Sequence, residues 1–144
     1  MSLVFDSSAL LALLKGEPGS DFVRELLEDA DVPKLAHAVN LCEVFYDFLA
    51  RGAAETASAA ETASEAIGDL FSLGIEERGD SDGPFWRDVA TVIATQRRSG
   101  QRLALGDAWG VALARRLDAD FVTADRGELE AVATAGLCRV TFIR

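Results

Sequence analysis

One histidine, two cysteines and no apolar stretch near the roughly eighteen residues of a membrane span remove several chemistries from this 144-residue chain at once. His37 stands alone, so a Ser-His-Asp triad would need it beside a serine and an acid, and a packed or surface histidine is the simpler use. Cys42 and Cys138 form no C-x-x-C pair and support no zinc site; they read as buried small hydrophobes. Neither G-x-x-x-x-G-K-S/T nor G-x-G-x-x-G occurs, which leaves nucleotide-binding loops unsupported. Asp6 interrupts the N-terminus where a signal peptide's apolar stretch would lie. A soluble, cytoplasmic protein with no membrane partner is therefore expected. Its length suits one domain, residues 1–144, with a core that needs no disulfide or structural metal.

Positive charge is also scarce. A net charge of −10 argues at first against a nucleic-acid partner, because phosphate binding usually leaves a basic footprint. The distribution differs from the total: residues 1–86 hold 17 acids and 5 bases, whereas residues 87–126 hold 5 acids and 7 bases. Arg97, Arg98, Arg102, Arg115, Arg116 and Arg126 all fall in the second stretch, and the planar guanidinium fork suits phosphate. Their other reading is as solvated helix ends, where the helix dipole favours cations.

What is present is an alternation of strand and helix, the pattern of a parallel sheet with helices on its faces. Leu3–Phe5 reads as a short buried strand and 8–14 as a helix stopped by Gly16 and Pro18. Ser20 is a plausible N-cap for a helix to Asp29, followed by a strand at 35–38 and a helix from about Asn40 to Arg51 with Gly52 as C-cap. The sequence AAETAS occurs twice, at 53–58 and 59–64, a duplicated and mostly exposed piece of helix running to about Leu73. A strand at 75–78, helices at 84–99 and from Asp107 to Leu117, a strand at 120–123, a helix after Asp125 and a strand at 139–143 follow. The predicted count is five strands and about seven helices. Asp80-Ser81-Asp82-Gly83 lacks the ligand ladder of a calcium loop and reads as a turn. Trp86 and Trp109 could stack on bases, but Trp109 lies among Ala108, Ala112 and Leu113, which favours core packing.

Four acids stand at strand-to-helix transitions: Asp6 after Leu3-Val4-Phe5, Glu43 near the start of the helix after Leu35-Ala36, Asp107 after Leu103-Ala104-Leu105, and Asp125 after Phe121-Val122-Thr123. In an open parallel sheet these positions converge on one crevice. Each has an ordinary explanation as well. Asp107 and Asp125 could cap their helices. Asp6 is less needed as a cap, with Ser7 and Ser8 beside it, and Glu43 falls roughly 200° around its helix from Leu41, where a solvated acid would also fall. Asp47, one turn on, is either a supporting group or an exposed acid. Convergence changes the balance, because clustered carboxylates repel and a divalent cation relieves them. With oxygen donors only, the ion expected is Mg²⁺ or Mn²⁺, and its chemistry is water-mediated attack on phosphorus.

The chain resembles the PIN-domain family, and among its members the small VapC-type ribonuclease toxins. The matching segments are VFDSSALLALL at 4–14, NLCEVFYDFL at 40–49 and LALGDAWGVALARRLDADFVTAD at 103–125. The resemblance implies a three-layer α/β/α fold around a five-stranded parallel sheet and a metal-dependent endoribonuclease leaving 5′-phosphate and 3′-hydroxyl ends. It makes Asp6, Glu43, Asp107 and Asp125 the catalytic quartet, with Asp6, Asp107 and Asp125 holding metal, Glu43 holding metal or orienting water, and Ser8 and Thr123 supporting the carboxylates. Arg97, Arg98, Arg102 and Arg126 are the candidate RNA contacts. A homodimer and a cognate antitoxin whose segment lies over the active crevice are the implied partners; separately, the apolar side chains of the first two helices, such as Leu11, Leu14 and Phe22, are expected to be exposed and to receive an antitoxin helix. His37-Ala38-Val39-Asn40 departs from the Ser/Thr-rich approach expected before the second acid. Within the family, an RNA-processing nuclease outside a toxin–antitoxin pair is the alternative to a toxin; two rivals of other classes are phosphoryl transfer through Asp6, which has Ser8 where a second Asp is commonly needed, and a non-catalytic binding module.

Overall fold

A parallel sheet orders the chain. The computed structural model describes residues 1–51 and 56–144. Its elements are β1 Leu3–Phe5, α1 Ser7–Lys15, α2 Ser20–Glu28, β2 Lys34–His37, α3 Ala38–Arg51, α4 Thr56–Ser72, β3 Ile75–Arg78, α5 Gly83–Arg98, α6 Leu105–Leu117, β4 Asp120–Thr123, α7 Arg126–Thr134 and β5 Arg139–Phe142. All strand pairings are parallel, in the order β3-β2-β1-β4-β5. Chain order reverses between β1 and β4, so a crevice opens beyond their carboxyl ends.

Alternation along the strands sorts the helices into two layers. Val4, Leu35 and Phe121 pack with α5, α6 and α7 through Val89, Val92, Val111, Leu113, Leu129 and Val132. Leu3, Phe5, Ala36 and Val122 point the other way, to Leu10, Leu13, Val23, Val44 and Leu70 of α1 to α4. The result is the expected three-layer α/β/α fold. Phe5, Phe85 and Phe121 are fully enclosed, and truncating any of them to Ala costs about 3–5 kcal/mol.

Several local expectations are corrected. Asp6 is the N-cap of α1, its carboxylate accepting the Ala9 N–H at 2.9 Å, so its charge is used for capping after all. Gly16 closes that helix in the left-handed region, at φ 64°. Ser20 is the first residue of α2, whose N-cap is the left-handed Gly19 without a side-chain cap. α3 follows β2 directly, because His37 Nδ1 accepts the Val39 N–H at 3.1 Å and turns the chain at once into the helix. α4 is amphipathic where exposure was expected: Ala59, Ala63, Ala66 and Leu70 form a buried stripe. Gly52 and the start of the first AAETAS copy lie outside the described residues. Cys42 is exposed and was expected buried; Cys138 is half-buried, and burial lifts its thiol pKa to about 11. Among the described residues no helix is long and apolar enough to cross a membrane.

Candidate metal centre

The crevice acids arrive from four elements. Asp6 follows β1, Asp125 follows β4 by two residues, Glu43 is on the sixth residue of α3, and Asp107 is in the first turn of α6. α6 reaches the crevice because it ends at Leu117 just before β4 begins, so its start lies at the carboxyl edge of the sheet.

Asp6 is almost wholly buried, at 1% exposure. One oxygen accepts from Ser8 Oγ at 2.7 Å and the Ala9 N–H, and the other accepts from Thr123 Oγ1 at 2.5 Å. Burial still outweighs these bonds and raises its pKa from 3.8 to about 6. Ser8 and Thr123 support the carboxylate as expected and tie α1 to β4: Ser8 Oγ accepts the Ala124 N–H and Thr123 Oγ1 accepts the Asp125 N–H, both at 2.9 Å. Asp125 caps α7 through Gly127 N–H at 2.8 Å.

Asp107 does not cap its helix. The N-cap of α6 is Ala104, with no side-chain cap, and Asp107 lies inside the first turn. Its capping explanation therefore falls away. Burial first, then the charges of Asp6, Glu43, Asp125 and Glu128, raise its pKa to about 8. Asp107, Asp125 and Glu128 each offer a carboxylate oxygen within 4.8 Å of the others. Glu128 is absent from the expected quartet; it stands in the first turn of α7, three residues after the N-cap Asp125. Its Oε2 accepts the Ala104 N–H at 2.7 Å, fastening α7 to the start of α6.

Glu43 points into the crevice. Ser7 Oγ donates to its carboxylate at 2.6 Å, and its Oε1 lies so close over Gly106 that a Cβ there would sit 1.8 Å away. Ser7 is a third supporting hydroxyl, beyond the expected Ser8 and Thr123. Asp47 turns elsewhere, into ion pairs of 2.9 Å with Lys15 and Arg51.

Among the described residues, the one ion pair to any of these five acids is Arg102 to Glu128, at 4.0 Å from a 93% exposed side chain. An all-oxygen donor set, mutual repulsion and no close protein cation fit a hard divalent ion such as Mg²⁺ or Mn²⁺. Arg97 and Arg98 are exposed at the end of α5, and Arg126 stacks over Phe142 while donating to the Arg144 carbonyl. Arg115 and Arg116 are paired, with Asp88 and with Asp80 and Asp82. His37 packs against both Phe85 and Trp109, which also touch each other, and Trp109 is partly buried against the core.

This architecture has a family. The sequence matches the PIN domain over residues 3–135, and the chain belongs to that family. Its fold is similar to VapBC-1 from nontypeable Haemophilus influenzae, at 15% identity and TM-score 0.72 over 99% of this chain and 98% of that one. DNA-bound VapBC from Salmonella typhimurium gives 13% identity and TM-score 0.72 over 100% and 99%. VapC20 from Mycobacterium tuberculosis, a sarcin–ricin-loop-cleaving toxin, gives 16% and 0.68 over 90% and 94%. Among curated proteins, none matches the sequence significantly.

Proposed function

We propose that this chain is a Mg²⁺- or Mn²⁺-dependent endoribonuclease, the toxin of a toxin–antitoxin pair, acting in the cytoplasm as one PIN unit over residues 1–144. The observation that carries the reading is Asp107: it is not the N-cap of its helix, it is half-buried, and its carboxylate gathers with those of Asp125 and Glu128, where burial and the neighbouring charges raise its pKa to about 8 and a bound cation would offset the repulsion. The family and the toxin complexes sharing its fold support the same reading.

When bound, the divalent ion supplies charge neutralisation at the phosphate and an acidified water for in-line attack. Asp107, Asp125 and Glu128 would hold it. Asp6 would join them only through its one remaining acceptor position, because three of its roughly four are taken by Ser8, Ala9 and Thr123. Glu43, braced by Ser7, holds metal or orients the water. Thr123 and Ser8 keep Asp6 and the Asp125 backbone in register. Arg97, Arg98, Arg102 and Arg126 guide the RNA backbone toward this edge, and cleavage leaves 5′-phosphate and 3′-hydroxyl ends.

Incubating the protein with total RNA and Mg²⁺ or Mn²⁺, beside EDTA and Asp107→Asn controls, tests this. Cleavage lost in both controls and leaving 5′-phosphates supports the nuclease. Equal cleavage by the variant means contamination, and no cleavage by the protein favours the non-catalytic module.

The antitoxin is proposed to bind as an amphipathic helix over α1, α2 and α4. Phe22, Phe71 and Leu73 are exposed there, and Leu13, Leu14, Arg24, Asp69, Ser72 and Leu73 line a cavity of about 340 Å³. Leu11 and Leu14 are partly buried and Phe22 is the more open of the expected three. Leu14→Asp is expected to abolish the complex in co-purification with the antitoxin; an intact complex rejects the surface. The active species is proposed to be a homodimer.

A further inference from the structure

Asn40 lies one helical turn before Glu43 and is fully buried. Its Nδ2 donates to the Gly106 carbonyl at 3.1 Å and, at a longer 3.4 Å, to Glu43 Oε2. Turning the amide over would set oxygen against two acceptors, so its orientation is fixed by its partners. Among the described residues the remaining oxygen, Oδ1, finds no hydrogen-bond partner. A buried amide left half-paired opposes folding, and an aliphatic residue would avoid that cost. The Gly106 carbonyl does not need the bond either, because it lies inside the backbone ladder of α6. Satisfying the interior is therefore a poor account of this side chain.

The helix opposite has space for it. Gly106 and Gly110 stand one turn apart on α6. A Cβ at Gly106 would strike Glu43 Oε1, and one at Gly110 would come within 2.9 Å of Asn40 Oδ1 and 2.5 Å of Phe121. Glu43 and Asn40 of α3 thus fill the two bare sites of α6, and Gly106 is the residue before Asp107.

From this juxtaposition we infer that Asn40 is a positioning residue, which ties the Glu43 carboxylate to the backbone next to Asp107 and so sets how the two acids face the metal. The inference rests on the proposed metal-site reading for its consequence, though not for its geometry. The bond spans 66 positions in sequence and joins α3 to α6 at the crevice. Without it, Ser7 alone holds Glu43, and from the side of α1 only.

A double-mutant cycle tests it. Mn²⁺ affinity, read by electron paramagnetic resonance, is expected to weaken about tenfold in Asn40→Ala. In a Glu43→Gln background the same substitution is expected to change affinity little, because its effect runs through Glu43. An equal loss in both backgrounds would overturn the inference in favour of a general structural role, as would unchanged affinity in Asn40→Ala. A crystal structure of metal-free Asn40→Ala gives a readout independent of metal: Glu43 is expected to leave Gly106, and Glu43 unmoved overturns the inference. Should the wild-type chain bind no Mn²⁺, the metal-site reading fails while this crystallographic readout still decides the role of Asn40. If Asn40→Ala proves unfolded, Asn40→Ser is measured the same way, with the same two outcomes.

Discussion

Two groups of carboxylates lie along the carboxyl edge of the sheet, and their surroundings act on them in opposite directions. Asp80 and Asp82 follow β3. Arg78 grips Asp80 with two hydrogen bonds of 2.9 and 3.0 Å, and Arg116 reaches Asp82 with two of 2.6 and 2.7 Å while also touching Asp80. The Arg116 hydrogen bonds hold Asp82 down to about 2, and Arg78 lowers Asp80. In the crevice burial is deeper and no arginine comes closer than Arg102, so Asp6 rises to about 6 and Asp107 to about 8. The same residue type is stabilised as an anion in one place and destabilised in the other. The chain supplies its own cations to the first group; on the proposed reading, solution supplies the second.

The comparison breaks most sharply under Asp107→Asn. RNA cleavage is expected to fall by at least about a hundredfold, since even residues that only support ligands cost 10–100-fold, whereas Asp80→Asn retains it. Cleavage assays on the two variants, with circular dichroism as a folding control, decide this. Gly106→Ala comes next: its Cβ would displace Glu43, and a loss of about tenfold in cleavage with little change in melting temperature is expected.

The pH dependence of melting separates the groups further. Asp6 and Asp107 keep protons in the folded chain at pH values where the unfolded chain, with its ordinary 3.8, has released them. The metal-free folded state therefore binds more protons from about pH 4 to about pH 8, and stability falls as pH rises through that window. Asp80 and Asp82 contribute the reverse: their stabilisation is present above 3.8 and is lost as pH falls below it, for Asp82 toward about 2. A melting temperature that declines from mildly acid to mildly alkaline pH, with the decline flattened by saturating Mn²⁺, is expected from calorimetry. The smallest effect is expected for Arg116→Gln: a lowered melting temperature, reduced at high salt, with Mn²⁺ binding unchanged.

Much of this was legible in the sequence, and the misses share a cause. The order of the five strands and seven helices among the described residues followed from apolar runs punctuated by Gly, Pro and capping residues, and strand-end placement pointed to Asp6 and Asp125, whereas Asp107 and Glu43 stand inside helices. Contacts across the fold carry no such mark. Glu128 sits mid-turn on α7, beside the equally acidic Glu130, and only the approach of α6 makes it a partner of Asp107. Glu43 was named among the four acids, yet its own helix, which shows it opposite Leu41, left a solvated position equally open; the bare surface of Gly106, 63 positions later, is what receives it. Asp6 was read as free of capping because Ser7 and Ser8 were at hand, yet Ser7 went to Glu43 and Ser8 to Asp6 itself. Cys42 was misjudged by residue type, since α3 turns that position outward.

A Mn²⁺ titration at neutral pH, followed by electron paramagnetic resonance on the wild-type chain, Asp107→Asn and Asp80→Asn, is the most direct measurement. The crevice acids as the cation site predict saturable binding in the wild type and in Asp80→Asn, and its loss in Asp107→Asn. No binding by the wild type, or binding that survives Asp107→Asn and disappears with Asp80→Asn, would contradict it.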